Sequence, residues 1–296
     1  MLTVAEARDA IRGALQPAPT EQVPVASATG RILHQPVVAE RDQPPFDRVT
    51  MDGIALAHDD IAAGQRRFPI QAMQAAGDPA LALERGHCIE IMTGAALPDG
   101  ADCIVPVERI SVADGHAVLE DDYRPEARQF IHPRGSDHVN GHKVIGPGQV
   151  IAPTDVAIIA SCGLQTVSVT RIPRVAVVST GNELVPAGRA IEPHQIRLSN
   201  GPALAAMLCD QGFTDTIEAH LLDEPAELEK SLGNMLATRD VLILSGGVSM
   251  GKADFVPQVL TDLGVDVVFH KISQRPGKPM WFGTGPDGQA VFALPG

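Results

Sequence analysis

Two stretches of this chain concentrate residue types that hold anions. Residues 240–255 read DVLILSGGVSMGKADF, in which Gly246, Gly251 and Lys252 stand at the spacing of a phosphate-binding G-x-x-x-x-G-K loop. The match fails at Ala253, where such a loop carries a Ser or Thr hydroxyl for Mg²⁺. Two readings of the glycines stay open at this point. Gly246, Gly247 and Gly251 let backbone N–H groups approach an anion at the start of a helix, or they relieve a tight strand-to-helix turn that Asp254 caps. The second stretch, RPGKP, favours the anion: Pro276 and Pro279 hold Arg275 and Lys278 in a stiff loop suited to fixing phosphate-type charge.

Carboxylates accompany these loops. STGNELV places Gly181 directly after an apolar run with Glu183 two residues on, and LLDEPAELE places Asp223 ahead of Pro225, where a helix N-cap is the simple reading. Glu183, Asp223 and Asp254 beside an anion site are electrostatically unfavourable unless Mg²⁺ lies between them and the ligand. Earlier in the chain, PPFDRVTMDG ends in an Asx-turn signal at Asp52-Gly53, and IMTGAALPDGAD is a strand leading into a small-residue loop that starts at Thr93 and Gly94. HPRGSDHVNGHKV gathers Arg134, Gly135 and Asp137 with His132, His138 and His142; their spacing fits no common zinc pattern, and a solvated loop is expected.

These residues need elements to carry them. Thr3 and Glu6 form a capping box for an opening helix that ends near Leu15, ahead of Pro17 and Pro19. From about Val23 to Ile151 the chain runs in short alternating apolar segments such as CIEIM and CIVPVE, separated by PDG, ADG, PRG and GPG turns, which reads as β-rich and irregular. A short helix over Thr154–Ser161 and the strand LQTVSVT follow. Beyond Arg174 the pattern becomes RVAVVS, a helix near 201–211, TIEAHLL, a helix near 224–237, DVLILS, a helix near 254–263 and VDVVFHKI, with MWFG and AVFAL closing as a hairpin. Such alternation implies βαβ units and a mostly parallel sheet. Ligands bind outside the carboxyl ends of such strands, and those ends carry STGNE, Asp223, SGGVSMG and RPGKP.

At 296 residues, 44% of them apolar, the chain has room for two or three domains with real cores. A formal charge of -13 excludes a general nucleic-acid binder. The four scattered cysteines, Cys88, Cys103, Cys162 and Cys209, read as reduced thiols of a cytoplasmic protein, and neither a secretory leader nor a membrane-spanning run is expected.

Taken in order, PPFDRVTMDG, IMTGAALPDGAD, HPRGSD, STGNEL, SGGVSMGKAD, RPGKP and LPG resemble the molybdopterin molybdenumtransferases, the MoeA proteins related to the E domain of gephyrin. The resemblance covers nearly the whole chain. It implies a fold of α/β plus β-rich class: a mostly parallel three-layer α/β sheet of the molybdopterin-binding, MogA-like kind over 173–296, an elongated N-terminal domain over 1–40 and 140–172, and a β-rich insert over 41–139. It further implies a cytoplasmic transferase of molybdenum cofactor biosynthesis that uses Mg²⁺, takes molybdate and adenylylated molybdopterin as substrates, and releases AMP. Catalytic roles fall on Asp52, Thr93, Asp137, Glu183, Asp223 and Asp254, with Glu183, Asp223 and Asp254 holding Mg²⁺. Substrate-binding roles fall on Gly181, Ser245, Gly246, Gly247, Ser249, Gly251, Arg275, Pro276, Gly277, Lys278 and Pro295. A homodimer with the site shared between subunits is implied, as are the molybdopterin adenylyltransferase and molybdoenzymes as partners. Arg275 stands where the family usually has Lys, Asn182 replaces a common Asp, and the family continues past LPG into a further helix and a β-barrel domain, so a truncated form is expected. The alternatives are a non-catalytic pterin-nucleotide-binding or scaffold module and a CinA-like nucleotide-processing enzyme.

Overall fold

Strand-helix alternation after Arg174 builds a six-stranded sheet in the order Thr216–Leu221, Val175–Thr180, Val241–Ser245, Ala290–Leu294, Trp281–Thr284, Asp266–His270. The first four strands pair in parallel, and the last two ladders are antiparallel, with Trp281–Thr284 and Ala290–Leu294 forming the closing hairpin. All of Val175–Thr180 is buried, as expected for a strand covered on both faces. The computed structural model describes residues 1–247 and 255–296.

Leu228, Leu232 and Leu236 repeat every fourth residue along the helix Pro225–Thr238 and so share one stripe. That stripe and the helix Val256–Asp262 pack on one face of the sheet against Ala176, Val178, Leu242, Leu244, Val291 and Ala293. The alternate face is covered in part by the opening helix Val4–Ala14. Thr3 Oγ1 accepts from the Glu6 amide while the Glu6 carboxylate accepts from the Thr3 amide at 2.8 Å, which completes the capping box. Ala7, Ala10, Ile11 and Ala14 then meet Phe269, Ile272 and Phe282. The resemblance implies that this helix belongs to the elongated N-terminal domain; by contacts, Met1–Glu21 group with Thr170–Gly296 as one unit.

Gln22–Val169 form the other unit. Its main sheet has six strands in the order Cys103–Pro106, Gly53–Leu56, Cys88–Ile91, Arg67–Gln74, His116–Leu119, Ile110–Ala113, with the single parallel pairing between Arg67–Gln74 and Cys88–Ile91. The cores here are separate. Val25, Leu33 and Val37 pack with Ile145, Ile151, Ile159, Val167 and Val169, whereas Ile54, Leu56, Phe68, Cys88 and Cys103 build another cluster inside the β-rich stretch. Burial pushes the Cys88 and Cys103 thiols up to about 12, so both are inert apolar filling rather than nucleophiles. Among the described residues no helix is long and apolar enough to cross a membrane.

Candidate functional site in the α/β unit

The parallel ladders bring the carboxyl ends of Thr216–Leu221, Val175–Thr180, Val241–Ser245 and Ala290–Leu294 to one edge. Asp266–His270 runs antiparallel to Trp281–Thr284, which itself runs antiparallel to Ala290–Leu294, so its carboxyl end lies on that edge too. The loops singled out by sequence therefore share an edge, as the rule for open α/β sheets requires.

Segments 179–184, 196–200 and 245–246 meet, together with Gly296, over the second and third strands. A cleft of ≈ 110 Å³ is lined by Thr180, Glu183, Arg197, Ser199, Asn200, Ser245 and Gly246. Asn200 Nδ2 donates to Ser245 Oγ at 3.0 Å, which ties the first residue of the helix Asn200–Asp210 to the end of the neighbouring strand. Amide groups in that first helical turn have no intrahelical acceptor and face anions favourably. Thr180 is 3% exposed, and its Oγ1 is buried with no hydrogen-bond partner among the described residues. A Cβ on Gly246 would lie 2.5 Å from the Thr180 carbonyl oxygen, and one on Gly247 would lie 2.8 Å from Thr180 Oγ1. Both glycines also have positive φ, +97° and +65°. Gly246 and Gly247 thus let the loop backbone pack directly against Thr180, beside a buried and unsatisfied hydroxyl.

The carboxylates fall on adjacent strands. Glu183 follows Val175–Thr180 and its Oε2 lies close over Gly181; Asp223 follows Thr216–Leu221, and its amide donates to Asn182 Oδ1 at 3.1 Å. His220 Nε2 is 2.9 Å from the Gly181 carbonyl oxygen, which fixes the turn between them. Ser249, Gly251 and Asp254 lie outside the described residues, so their roles rest on sequence alone. RPGKP forms the tip of a hairpin closed by Lys271 N–H to Met280 O at 2.8 Å and Ile272 N–H to Lys278 O at 3.0 Å. Arg275, Pro276 and Lys278 are exposed there, and Gly277 makes the turn at φ +105°. Pro295 ends the central strand Ala290–Leu294.

Strand order sets the size of what this edge can hold. Adjacent strands are about 4.8 Å apart, so Asp223 and the RPGKP hairpin, on the two outer strands of six, are separated by roughly 24 Å along the sheet. One phosphate cannot touch both; an extended ligand can. Thr180, Arg197 and Asn200 were not among the sequence candidates, because a lone Thr at a strand end and Asn-Gly-Pro at a helix start read as ordinary turn chemistry.

In the Gln22–Val169 unit, Gly53 stands opposite Ile91, which sets Asp52 beside the Met92-Thr93 turn. Asp52 Oδ1 accepts from the Thr93 amide at 2.6 Å and from Thr93 Oγ1 at 2.7 Å. These bonds, the amide first and the hydroxyl second, hold the Asp52 carboxyl below the usual carboxylate range. A folded pKa depressed in this way contributes stability above the unfolded value, lost as pH falls through the folded one. Thr93→Ala keeps the amide and removes the hydroxyl, so the Asp52 pKa rises toward its ordinary value and that loss becomes smaller and is complete at a higher pH. An NMR titration of the Asp52 carboxyl carbon reads this directly, and an unchanged midpoint contradicts it. Asp137 Oδ1 lies 3.3 Å from His132 Nε2, and His138 stacks on His142 with ring centroids 5.6 Å apart.

Comparison with known proteins covers both units. Residues 2–163 match the MoeA N-terminal region (domain I and II), and residues 176–296 match the probable molybdopterin binding domain. The molybdopterin molybdenumtransferase of Synechocystis sp. is 36% identical over 92% of this chain and 70% of its own length; that of Synechococcus elongatus is 36% identical over 95% and 71%. The enzyme of the same name from Nostoc sp. is 32% identical over 94% of this chain and 65% of its own length, so the chain spans about two thirds of these relatives. A crystal structure of a molybdopterin biosynthesis MoeA protein from Pyrococcus horikoshii superimposes with a TM-score of 0.84 at 29% identity, covering 100% of this chain and 75% of that one. A CinA-like reading has no place for the N-terminal match over 2–163. With relatives of this identity aligned along nearly all of its length, and both of its halves matched in order, the chain belongs to the molybdopterin molybdenumtransferase (MoeA) family.

Proposed function

We propose that this chain inserts molybdenum from molybdate into adenylylated molybdopterin and releases AMP, in the cytoplasm, as a Mg²⁺-dependent step of molybdenum cofactor biosynthesis. The observation that carries the reading is the unsatisfied Thr180 hydroxyl beside Gly246 and Gly247, a buried polar group in the lining of the cleft at the carboxyl ends of the α/β strands. The distance along that edge suits a long ligand with a pterin at one end and a nucleotide at the other, bridged by phosphates. Gly246, Gly247, Ser245 and the start of the helix Asn200–Asp210 offer donors near the middle, and Arg275 and Lys278 offer positive charge at the far strand.

Mg²⁺ fits the chemistry of the donors. Glu183 and Asp223 bring carboxylate oxygens to neighbouring strand ends, and Asp254 would complete the hard-oxygen set. Among the described residues alone, no three acidic, His or Cys side chains converge on a metal position. Once bound, the ion would neutralise the phosphate charge that these carboxylates otherwise repel. Glu183 orients toward the cleft over Gly181, and Asn182 keeps the Asp223 turn in place beside it. In this reading the enzyme is a homodimer, with Asp52, Thr93 and Asp137 of one subunit serving the α/β site of the other, and the molybdopterin adenylyltransferase and molybdoenzymes are its neighbours in the pathway.

Thr180→Val tests the carrying observation. The substitution is nearly isosteric and removes a buried hydroxyl whose lack of a partner costs about 1–3 kcal/mol. The variant should melt at the same or a higher temperature than the parent while binding adenylylated molybdopterin about five- to tenfold more weakly, as calorimetry would show. Unchanged affinity would contradict a ligand at this hydroxyl.

A further inference from the structure

Arg48 and His132 lie directly across from each other in a short antiparallel ladder, Arg48–Val49 against Ile131–His132. Arg48 Nη2 approaches His132 Nδ1 at 3.0 Å, and the other ring nitrogen, Nε2, is 3.3 Å from Asp137 Oδ1. A guanidinium has donors only, so the nitrogen it bonds must be the acceptor. His132 Nδ1 is therefore the lone-pair nitrogen, and the ring proton sits on Nε2, aimed at the Asp137 carboxylate. The neighbouring guanidinium thus selects one tautomer, and the second contact orients the ring toward the carboxylate it serves.

The geometry points to a positioning relay in which Arg48 fixes the His132 tautomer and His132 in turn orients the Asp137 carboxylate for its part in the reaction. The inference rests on the reading that places Asp137 in the active site. Asp137 is half-exposed at 52%, on the loop Pro133–His142, where a carboxylate left alone samples several rotamers. His132 is 30% exposed and sits on a paired strand, so it is the firmer of the two. Neighbouring carboxylates are already engaged: Asp42 with Arg134 at 2.7 Å and Asp47 with Arg128 at 2.7 Å, which leaves Arg48 and His132 to Asp137.

Four substitutions and two readouts test it. His132→Leu should lower kcat/KM for molybdate-dependent AMP release roughly tenfold or more, the scale expected when a reacting group loses its alignment. His132→Gln keeps an acceptor for Arg48 and a donor for Asp137 and should recover most of that loss. In an Asp137→Asn background, His132→Leu should add almost nothing, because the two act as one unit. Independently of activity, ¹⁵N spectra of histidine-labelled protein should show His132 as the Nε2–H tautomer in the parent and as a mixture in Arg48→Met. Equal effects of His132→Leu in both backgrounds, or an Nδ1–H tautomer in the parent, would overturn the relay. If the parent released no AMP at all, the functional reading would fail, and the ¹⁵N tautomer alone would decide between relay and no relay.

Discussion

Gly53→Ala is expected to destabilise the Gln22–Val169 unit by more than about 3 kcal/mol, or to prevent it from accumulating in soluble form. Gly53 opens the strand Gly53–Leu56, which lies between Cys103–Pro106 and Cys88–Ile91 in the main sheet. A Cβ at this position would fall 2.0 Å from the Val105 carbonyl oxygen and 3.0 Å from the Pro106 carbonyl carbon, both backbone atoms of the paired strand. Side chains can rotate away from an intruding methyl; a ladder can only separate. Moving Val105 back would break pairings of Gly53, Ile54 and Ala55 with Pro106, Val105 and Ile104, each worth about 1 kcal/mol net. It would also disturb the buried cluster around Ile54, Cys103 and Val105. The control is Gly13→Ala in the opening helix, where a Cβ meets nothing within 4 Å and the change should stabilise by up to about 1 kcal/mol. Urea unfolding followed by circular dichroism separates the two. Equal midpoints for Gly53→Ala and the parent would contradict the steric account.

Lys278→Ala should lower turnover by roughly a hundredfold or more while leaving the melting temperature within experimental error. The side chain is exposed at the tip of the RPGKP hairpin, and what holds the hairpin is backbone: Ile272 N–H donates to the Lys278 carbonyl oxygen at 3.0 Å, an interaction indifferent to the side chain. The exposed side chain is thus carried by a hairpin whose backbone bonds do not depend on it. Removing a positioned donor from charge that develops in a transition state costs about 3–4 kcal/mol. Steady-state AMP release set against a thermal melt measures both halves of the expectation. Activity within threefold of the parent would place the reacting phosphates elsewhere on the edge.

The ligand edge was legible because strand-end loops follow from βα alternation alone. STGNE, Asp223, SGG and RPGKP each follow a strand whose apolar run is visible in sequence, and parallel pairing brings them to one side. Their spread along that edge was not legible. Nothing local to Arg275 or Lys278 tells that Asp266–His270 takes the outermost position, three strands from the glycine loop. Asp52 and Thr93 were each recognisable from their turns, but the bond between them spans 41 residues and depends on the register that sets Gly53 against Ile91. The Arg48–His132 contact spans 84 residues and left no mark in either segment. Thr180 reads in sequence as a turn cap; what distinguishes it is the lack of a partner, and an unmet hydrogen bond has no sequence signature. The opening helix was correct in extent and cap, while its partner, the face carrying Phe269 and Phe282, lies more than 250 residues away in the chain.

Release of AMP from adenylylated molybdopterin by the purified 296-residue chain, with Mg²⁺ and with or without molybdate, tests the central claim most directly. Molybdate-dependent release, lowered roughly a hundredfold or more by Lys278→Ala with folding intact, is the expected result. Tight binding of the pterin nucleotide with no release under either condition would contradict the insertion reaction and leave a binding module on the same edge.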